Sequence, residues 1–246
     1  MQHHPAIQTL TIRIRRAIGI RLTAALFLAS YAFGQQSYVG RWDAYGGFMH
    51  LMQPSINLAE PGFNLQVGMR LTNWVTAGFD YTIGTGQNIL EPGMLLQSLQ
   101  RQLAEQLSQL AAMGLVPAGY QLAVPIDAKT QSFQIGPDFP FRRFQAVTFF
   151  VRPNLGALQV VATPRPTDPI ATGIVAQLVP AGKKTDWTYF YGFGGGLEFN
   201  VNKHFALRFQ ADFAHDQFFN DLLKEGNTIR FSVGPAFQWG KNIAGR

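Results

Sequence analysis

The chain is 246 residues long, room for one good-sized domain or two small ones. It has no cysteine, which excludes a disulfide framework, a thiol nucleophile and a zinc–thiolate site. Charged residues are sparse, and the formal charge of +6 is mostly local: Arg13, Arg15, Arg16 and Arg21 lie in the first 34 residues, which hold no acid, so the basicity is no argument for nucleic-acid binding.

The N-terminal stretch "TIRIRRAIGIRLTAALFLASYAFGQQ" begins basic and turns apolar from Leu22 to Phe33. It then sets small residues, Ala32 and Gly34, ahead of Gln35. This is the layout of a secretory signal peptide at residues 1–34. Its apolar run is too short to cross a bilayer as a helix, and no later segment is long, apolar and uncharged. The mature chain is therefore expected to have no transmembrane helix.

Beyond it, "GRWDAYGGFMHLM" (40–52) is strand-like, with faces that the pattern does not assign. "FNLQVGMRL" sets Phe63, Leu65, Val67, Met69 and Leu71 against Asn64, Gln66, Gly68 and Arg70. "WVTAGFDYTI" sets Val75, Ala77, Phe79, Tyr81 and Ile83 against Thr76, Gly78, Asp80 and Thr82. Strict alternation of this kind marks a strand with two different faces. Residues 85–143 read as one long insert. Within it "PGMLLQSLQRQLAEQLSQLAAMG" forms an amphipathic helix, with Leu95, Leu96, Leu99, Leu103, Leu107 and Leu110 at steps of one to four between Pro92 and Gly114. That helix either packs on its own loop and caps a barrel mouth or presents a partner- or lipid-binding surface; capping is the preferred reading.

Two short strands, "QAVTFFVR" (145–152) and "GALQVVAT" (156–163), follow with "RPNLG" as the turn between them. "ATPRPTDP" reads as irregular, and "IATGIVAQLV" (170–179) leaves open a further strand and so a count of ten. "WTYFYGFGGGLEFNV" and "HFALRFQADFAH" alternate strongly, Phe190 being the one aromatic on the small-residue face of the first. The last strand, "TIRFSVGPAFQW", sets Ile229, Phe231, Val233, Pro235, Phe237 and Trp239 against Thr228, Arg230, Ser232, Gly234, Ala236 and Gln238. Tight connections at 71–74, 152–156 and 200–204 alternate with long ones at 53–61, 85–143, 164–186 and 216–227. That rhythm fits an all-β, up-and-down antiparallel barrel of eight strands with one elaborated end.

The faces decide its solvent. A soluble lipocalin-like barrel needs a charged exterior. Here the non-apolar face is Gly, Ala, Asn, Gln and few charges, which suits a narrow interior, while the bulky aromatic face suits lipid. Trp42, Trp74, Trp187, Tyr189 and Trp239 fall near strand ends, where interfacial girdles belong.

"SVGPAFQW" also resembles the C-terminal assembly signal of bacterial outer-membrane barrels, with Ser232, Gly234, Phe237 and Trp239 in the signal's places. The resemblance implies the barrel-assembly machinery as a partner. The chain departs from it by continuing "GKNIAGR" and by carrying Pro235, which removes a ladder donor and leads to the expectation of a bulge. Over roughly 38–240 the chain resembles the small eight-stranded barrels of the outer-membrane protein A transmembrane-domain type. That implies a Gram-negative outer-membrane location and a barrel domain at 35–246.

The charges on the inward face are Arg70, Asp80, Glu198, Arg208, Asp212 and Arg230. Isolated charges are costly in so narrow a space, so pairing is expected: Glu198 diagonal to Arg208 across the 200–204 turn, and Asp212 near Arg230. A plug of ion pairs is preferred over a gated ion path, because eight strands leave room only for side chains. His50 and the pair His215–Asp216 fall near the outer rim, where a lipid-modifying enzyme would keep its residues. No GxSxG or HExxH accompanies them, and nothing calls for a metal or a cofactor. The functional expectation is a non-enzymatic, monomeric barrel in the outer-membrane lipid, with a structural or surface-interaction role through its long loops. A small channel is the alternative, and a lipid-modifying enzyme ranks third.

Overall fold

The computed structural model describes residues 35–244 apart from 118 and 225. The expected signal peptide at 1–34 lies outside the described residues. Eight strands follow one another around a closed barrel: β1 (Gly40–Gln53), β2 (Leu58–Arg70), β3 (Thr76–Leu90), β4 (Val124–Phe141), β5 (Val147–Pro164), β6 (Lys184–Asn200), β7 (Phe205–Asp216) and β8 (Gly226–Asn242). Each is antiparallel to its neighbours, and β8 pairs back to β1. Closure leaves no open sheet edge, which is the condition for a sheet to stand in lipid. Helix α1 (Gln97–Ala112) lies between β3 and β4, and α2 (Pro169–Leu178) between β5 and β6.

The β2–β3, β4–β5 and β6–β7 turns are short and share one end of the barrel. Asparagine and threonine side chains hold two of them. Asn202 Oδ1 accepts from the backbone of His204 at 2.8 Å and Phe205 at 2.9 Å, and Thr72 Oγ1 accepts from Val75 at 3.1 Å. Short turns face the periplasm in barrels of this kind. The helices and residues 217–224 crowd the other, outer end, where the β1–β2 connection is only residues 54–57 and not the long one expected at 53–61.

Side chains sort by parity. Leu65, Val67, Phe79, Ile135, Leu155, Phe193 and Phe209 point outward and are exposed, whereas Asn64, Gln66, Asp80, Gln134, Arg152, Gln210 and Asp212 point inward and are buried. Exposed apolar outside and buried polar inside invert a soluble barrel, so the bilayer is this protein's solvent. Trp42 and Trp239, cross-strand partners at the β1–β8 seam, mark one edge of the belt with Trp74. Tyr81, Trp187, Tyr189 and Tyr191 mark the other.

Four further expectations need correction. The insert at 85–143 is not one loop: β3 runs on to Leu90, and all 18 residues of β4 lie inside it. "RPNLG" is not a turn but the middle of β5, also 18 residues long. One physical cause underlies both. On the lower part of β4, Phe133, Ile135, Phe139 and Phe141 face out; nearer the outer end the apolar residues are Val124, Ile126 and Ala128, and they face in. On β5, Phe149, Val151 and Leu155 face out, but Leu158, Val160 and Ala162 face in. The outward positions at those outer ends include Asp127, Lys129, Gln131, Gln159 and Thr163, with Val161 as an apolar exception. An apolar pattern that changes parity within a strand reads as a break. Gly156 serves close packing, since a Cβ there would lie 2.4 Å from both Phe133 O and the Phe190 ring.

Third, 170–179 forms α2 rather than a strand, and the barrel has eight strands. Pro169 starts that helix, and Asp168 caps it by accepting from Ala171 N at 2.8 Å. Fourth, no bulge forms at Pro235. The β1–β8 register is constant from Tyr45↔Ala236 to Phe48↔Val233, and it shifts instead at Gly40/Trp42. Gly234 allows the β1 backbone to close in, because a Cβ there would stand 2.2 Å from Gly46 O.

Candidate functional site

The lumen is filled in layers. In the first, inward residues of β3, β5, β7 and β8 bring together Asp80, Arg152, Asp212 and Arg230. Arg152 Nη2 lies 2.9 Å from Asp80 Oδ2 and 2.9 Å from Asp212 Oδ2, and its Nε lies 2.9 Å from Asp212 Oδ1. Arg230 Nη2 reaches Asp80 Oδ2 at 3.0 Å and Asp212 Oδ2 at 2.7 Å. Two carboxylates and two guanidiniums thus close into a neutral ring. Amides occupy the remaining lone pairs: Asn64 donates to Asp80 at 2.6 Å, Gln66 to Asp80 at 2.9 Å, Gln210 to Asp212 at 2.7 Å and Asn154 to Asp212 at 3.2 Å. Buried charges are tolerable only when paired and hydrogen-bonded this fully.

A second layer, toward the short turns, centres on Arg208. Its Nε donates to Glu198 Oε1 at 2.8 Å, its Nη2 to Asp43 Oδ2 at 2.7 Å and its Nη1 to Gln66 Oε1 at 2.7 Å. The guanidinium also lies over the rings of Tyr45, at 5.2 Å, and Phe150, at 5.4 Å. Glu198 and Arg208 are direct cross-strand partners rather than diagonal ones, because the turn pairs Asn200 with Ala206. Asp212 and Arg230 are likewise directly opposed. Arg70 donates to Gly40 O at 2.8 Å and Gln238 Oε1 at 2.7 Å and stands 3.8 Å from Asp43. Inner-face glycines make room for these groups: a Cβ on Gly194 would strike Asp212, and one on Gly196 would strike the Phe150 ring.

All six charges expected on the inner face lie there, buried. Two further inward charges escape the sequence pattern: Arg152, which falls in an apparent turn, and Asp43, on a strand whose faces the pattern does not assign. The amide partners Gln134 and Asn154 lie in segments the pattern reads as insert and turn, whereas Gln210 falls on the inward face that alternation assigns to it. Even alternation carried through "FFVRPNLG" would have turned Arg152 inward. The voids left between these layers admit the centre of a water-sized molecule over only about 10 Å³ each.

Above the plug the interior changes character. Ala128, Leu158, Val160 and Phe190 continue the lumen as an apolar wall, over which α1 packs Leu99, Leu103 and Leu107, and α2 packs Ala171 and Ile174. Phe218, Phe219 and Leu223 complete this core. Leu96 N donates to Leu222 O at 2.8 Å and ties the start of α1 to the β7–β8 connection. Tyr120 Oη donates to Asp168 at 3.0 Å and links the β3–β4 connection to the cap of α2. The Ala171 backbone N–H, above all, holds the Asp168 carboxyl below the usual carboxylate range.

The rim histidines do not assemble a catalytic pair. His215 faces out, its ring 5.4 Å from that of Tyr191 and its Nδ1 3.0 Å from Asn227 Oδ1. Its neighbour Asp216 faces in and accepts from Thr228 Oγ1 at 2.5 Å. Alternation puts them on opposite sides of the wall. In β8, Ser232 and Gly234 face the lumen, while Phe237 and Trp239 face out and stack on each other at 5.6 Å.

The sequence matches no protein-family model and no curated protein. Solved structures do share the fold. Neisserial surface protein A is 11% identical, with 80% of this chain and 96% of that one aligned at a TM-score of 0.50. The outer-membrane protein OprG of Pseudomonas aeruginosa is 9% identical over 85% and 100% of the two chains, TM-score 0.47. The attachment invasion locus protein Ail of Yersinia pestis is 11% identical over 80% and 95%, TM-score 0.42. At such identities the likeness is one of fold, that of the small eight-stranded outer-membrane barrels. Together with the apolar belt, that fold makes the protein an integral barrel of the outer membrane.

Proposed function

We propose that this outer-membrane barrel is a non-enzymatic, non-conducting monomer whose role is carried by its outer connections, as a structural or surface-interaction protein. The observation behind this reading is the lumen itself. Two successive layers of paired charges, with the rings of Tyr45 and Phe150 against Arg208, occupy the cross-section, so a hydrated ion has no wet path. The opposite parity of His215 and Asp216 argues against the enzyme reading. In the same proposal the barrel-assembly machinery recognises β8 through Ser232, Gly234, Phe237 and Trp239.

The test is single-channel recording on protein whose folding is verified by a heat-dependent gel shift. Silent bilayers are expected; steps of reproducible conductance would replace this reading with the channel. The surface role requires α1 outside the cell. The chain has no cysteine, so Gln109→Cys on the exposed side of α1 supplies a single thiol. A membrane-impermeant maleimide should label it in intact cells.

A further inference from the structure

The apolar core at the outer mouth is not filled. A hollow lies among the outer ends of the strands, α1, α2 and residues 218–223. It admits the centres of water-sized molecules over about 90 Å³, within about 960 Å³ of free space that includes its open mouth. Ile56, Leu103, Val124, Ala128, Ile174 and Phe218 represent its wall. A cap whose only task was closure would pack to the density of a protein interior. A hollow with this lining offers water almost no hydrogen-bond partners and leaves its wall short of contacts, so an apolar guest is favoured there over water.

The polar groups on the lining define the guest further. They are Asn88, Glu91 and Lys184. The Asn88 amide is taken up by Ile56 O at 2.5 Å, the Lys184 ammonium is paired with Asp221, and Glu91 is exposed. None of the three presents a free charge to the interior, so a carboxylate or ammonium guest would have no counter-ion. We infer that the chamber is a binding site for a small uncharged apolar molecule, about the size of one aromatic ring. It lies on the outer side of the plug and is separate from any contact the loops make with a partner.

The test uses the folded barrel in lipid nanodiscs, with methyl labels on Ile and Leu, titrated with 4-fluorotoluene. The lipid-facing methyls of Leu65, Ile135 and Leu155 report partition of the probe into the bilayer. The methyls of Ile56, Leu103 and Ile174 are expected to shift along a separate, saturable curve. Ala128→Phe fills the chamber and should weaken that curve at least tenfold while leaving the lipid-facing shifts alone. Leu103→Ala enlarges the chamber and should change the saturation point, which keeps the test decisive should the Phe variant fail to fold. Chamber methyls that stay still, that follow the lipid-facing ones without saturating, or that respond identically in the variants would overturn the inference.

Discussion

Arg152 and Asp212 meet across the lumen through two parallel bonds, Nε to Oδ1 and Nη2 to Oδ2, each 2.9 Å long. The bidentate geometry fixes both side chains, and Arg152 Nη2 also reaches Asp80. Replacing Arg152 by Leu would leave two buried carboxylates sharing Arg230. Breaking a buried pair from one side costs about 3–5 kcal/mol. The Arg152→Leu barrel should therefore unfold at markedly lower urea concentration in lipid vesicles, and Arg152→Leu with Asp80→Leu should recover much of the loss. A double variant no better than the single one would refute the neutral-ring account.

The height of the lipid belt is testable on one face of one strand. Val151 and Gln159 both point outward from β5, Val151 well inside the aromatic edge and Gln159 opposite Trp187 on it. Val151→Arg puts a charge into hydrocarbon and should cost about 2–4 kcal/mol, whereas Gln159→Arg, at the aromatic edge, should cost about 0–1 kcal/mol. Equilibrium unfolding of both variants in the same vesicles gives the comparison. Equal costs would mean that the belt reaches the outer end of β5.

Two glycines predict opposite outcomes. A Cβ on Gly234 would collide with the β1 backbone at the barrel seam, so Gly234→Val should abolish the heat-shifted folded band. A Cβ on Gly173, inside α2, meets open space, and Gly173→Ala should stabilise that helix by about 0.5–1 kcal/mol. Hydrogen exchange of the α2 amides reads the second effect.

Asp168 makes the cap of α2 sensitive to acid. Its carboxyl in the folded protein titrates below its usual value because the ionised form accepts from Ala171 N. The stabilisation is therefore complete above the usual carboxylate value and is lost as pH falls through the lowered one. Amide protection in α2 should drop on acidification in the wild type. Asp168→Asn should keep a cap without that dependence, and Asp168→Ala should lose protection at every pH.

The strand faces of β2, β3, β6, β7 and β8 were legible because each keeps one parity through the membrane, and Asp80, Asp212 and Arg230 followed from that. β4 and the upper half of β5 were not legible. There the chain passes from lipid to water, and the residues that must be apolar move from the odd positions to the even ones. Arg152 vanished at that crossover, beside a Pro and a Gly that mimic a turn. The pairing of Glu198 with Arg208 needed the register, which local pattern does not fix. The contacts that seat α1 and α2 over the mouth join segments far apart in sequence, and no periodicity encodes them.

The closing of Asp80, Arg152, Asp212 and Arg230 into a neutral ring also bears on the electrical behaviour of the protein. A membrane potential does work of roughly 2.3 kcal/mol per 100 mV on each elementary charge carried fully across. On a set whose charges sum to zero and move together, the net work vanishes. The same four side chains that would respond strongly as separate sensors are insensitive to voltage as a unit.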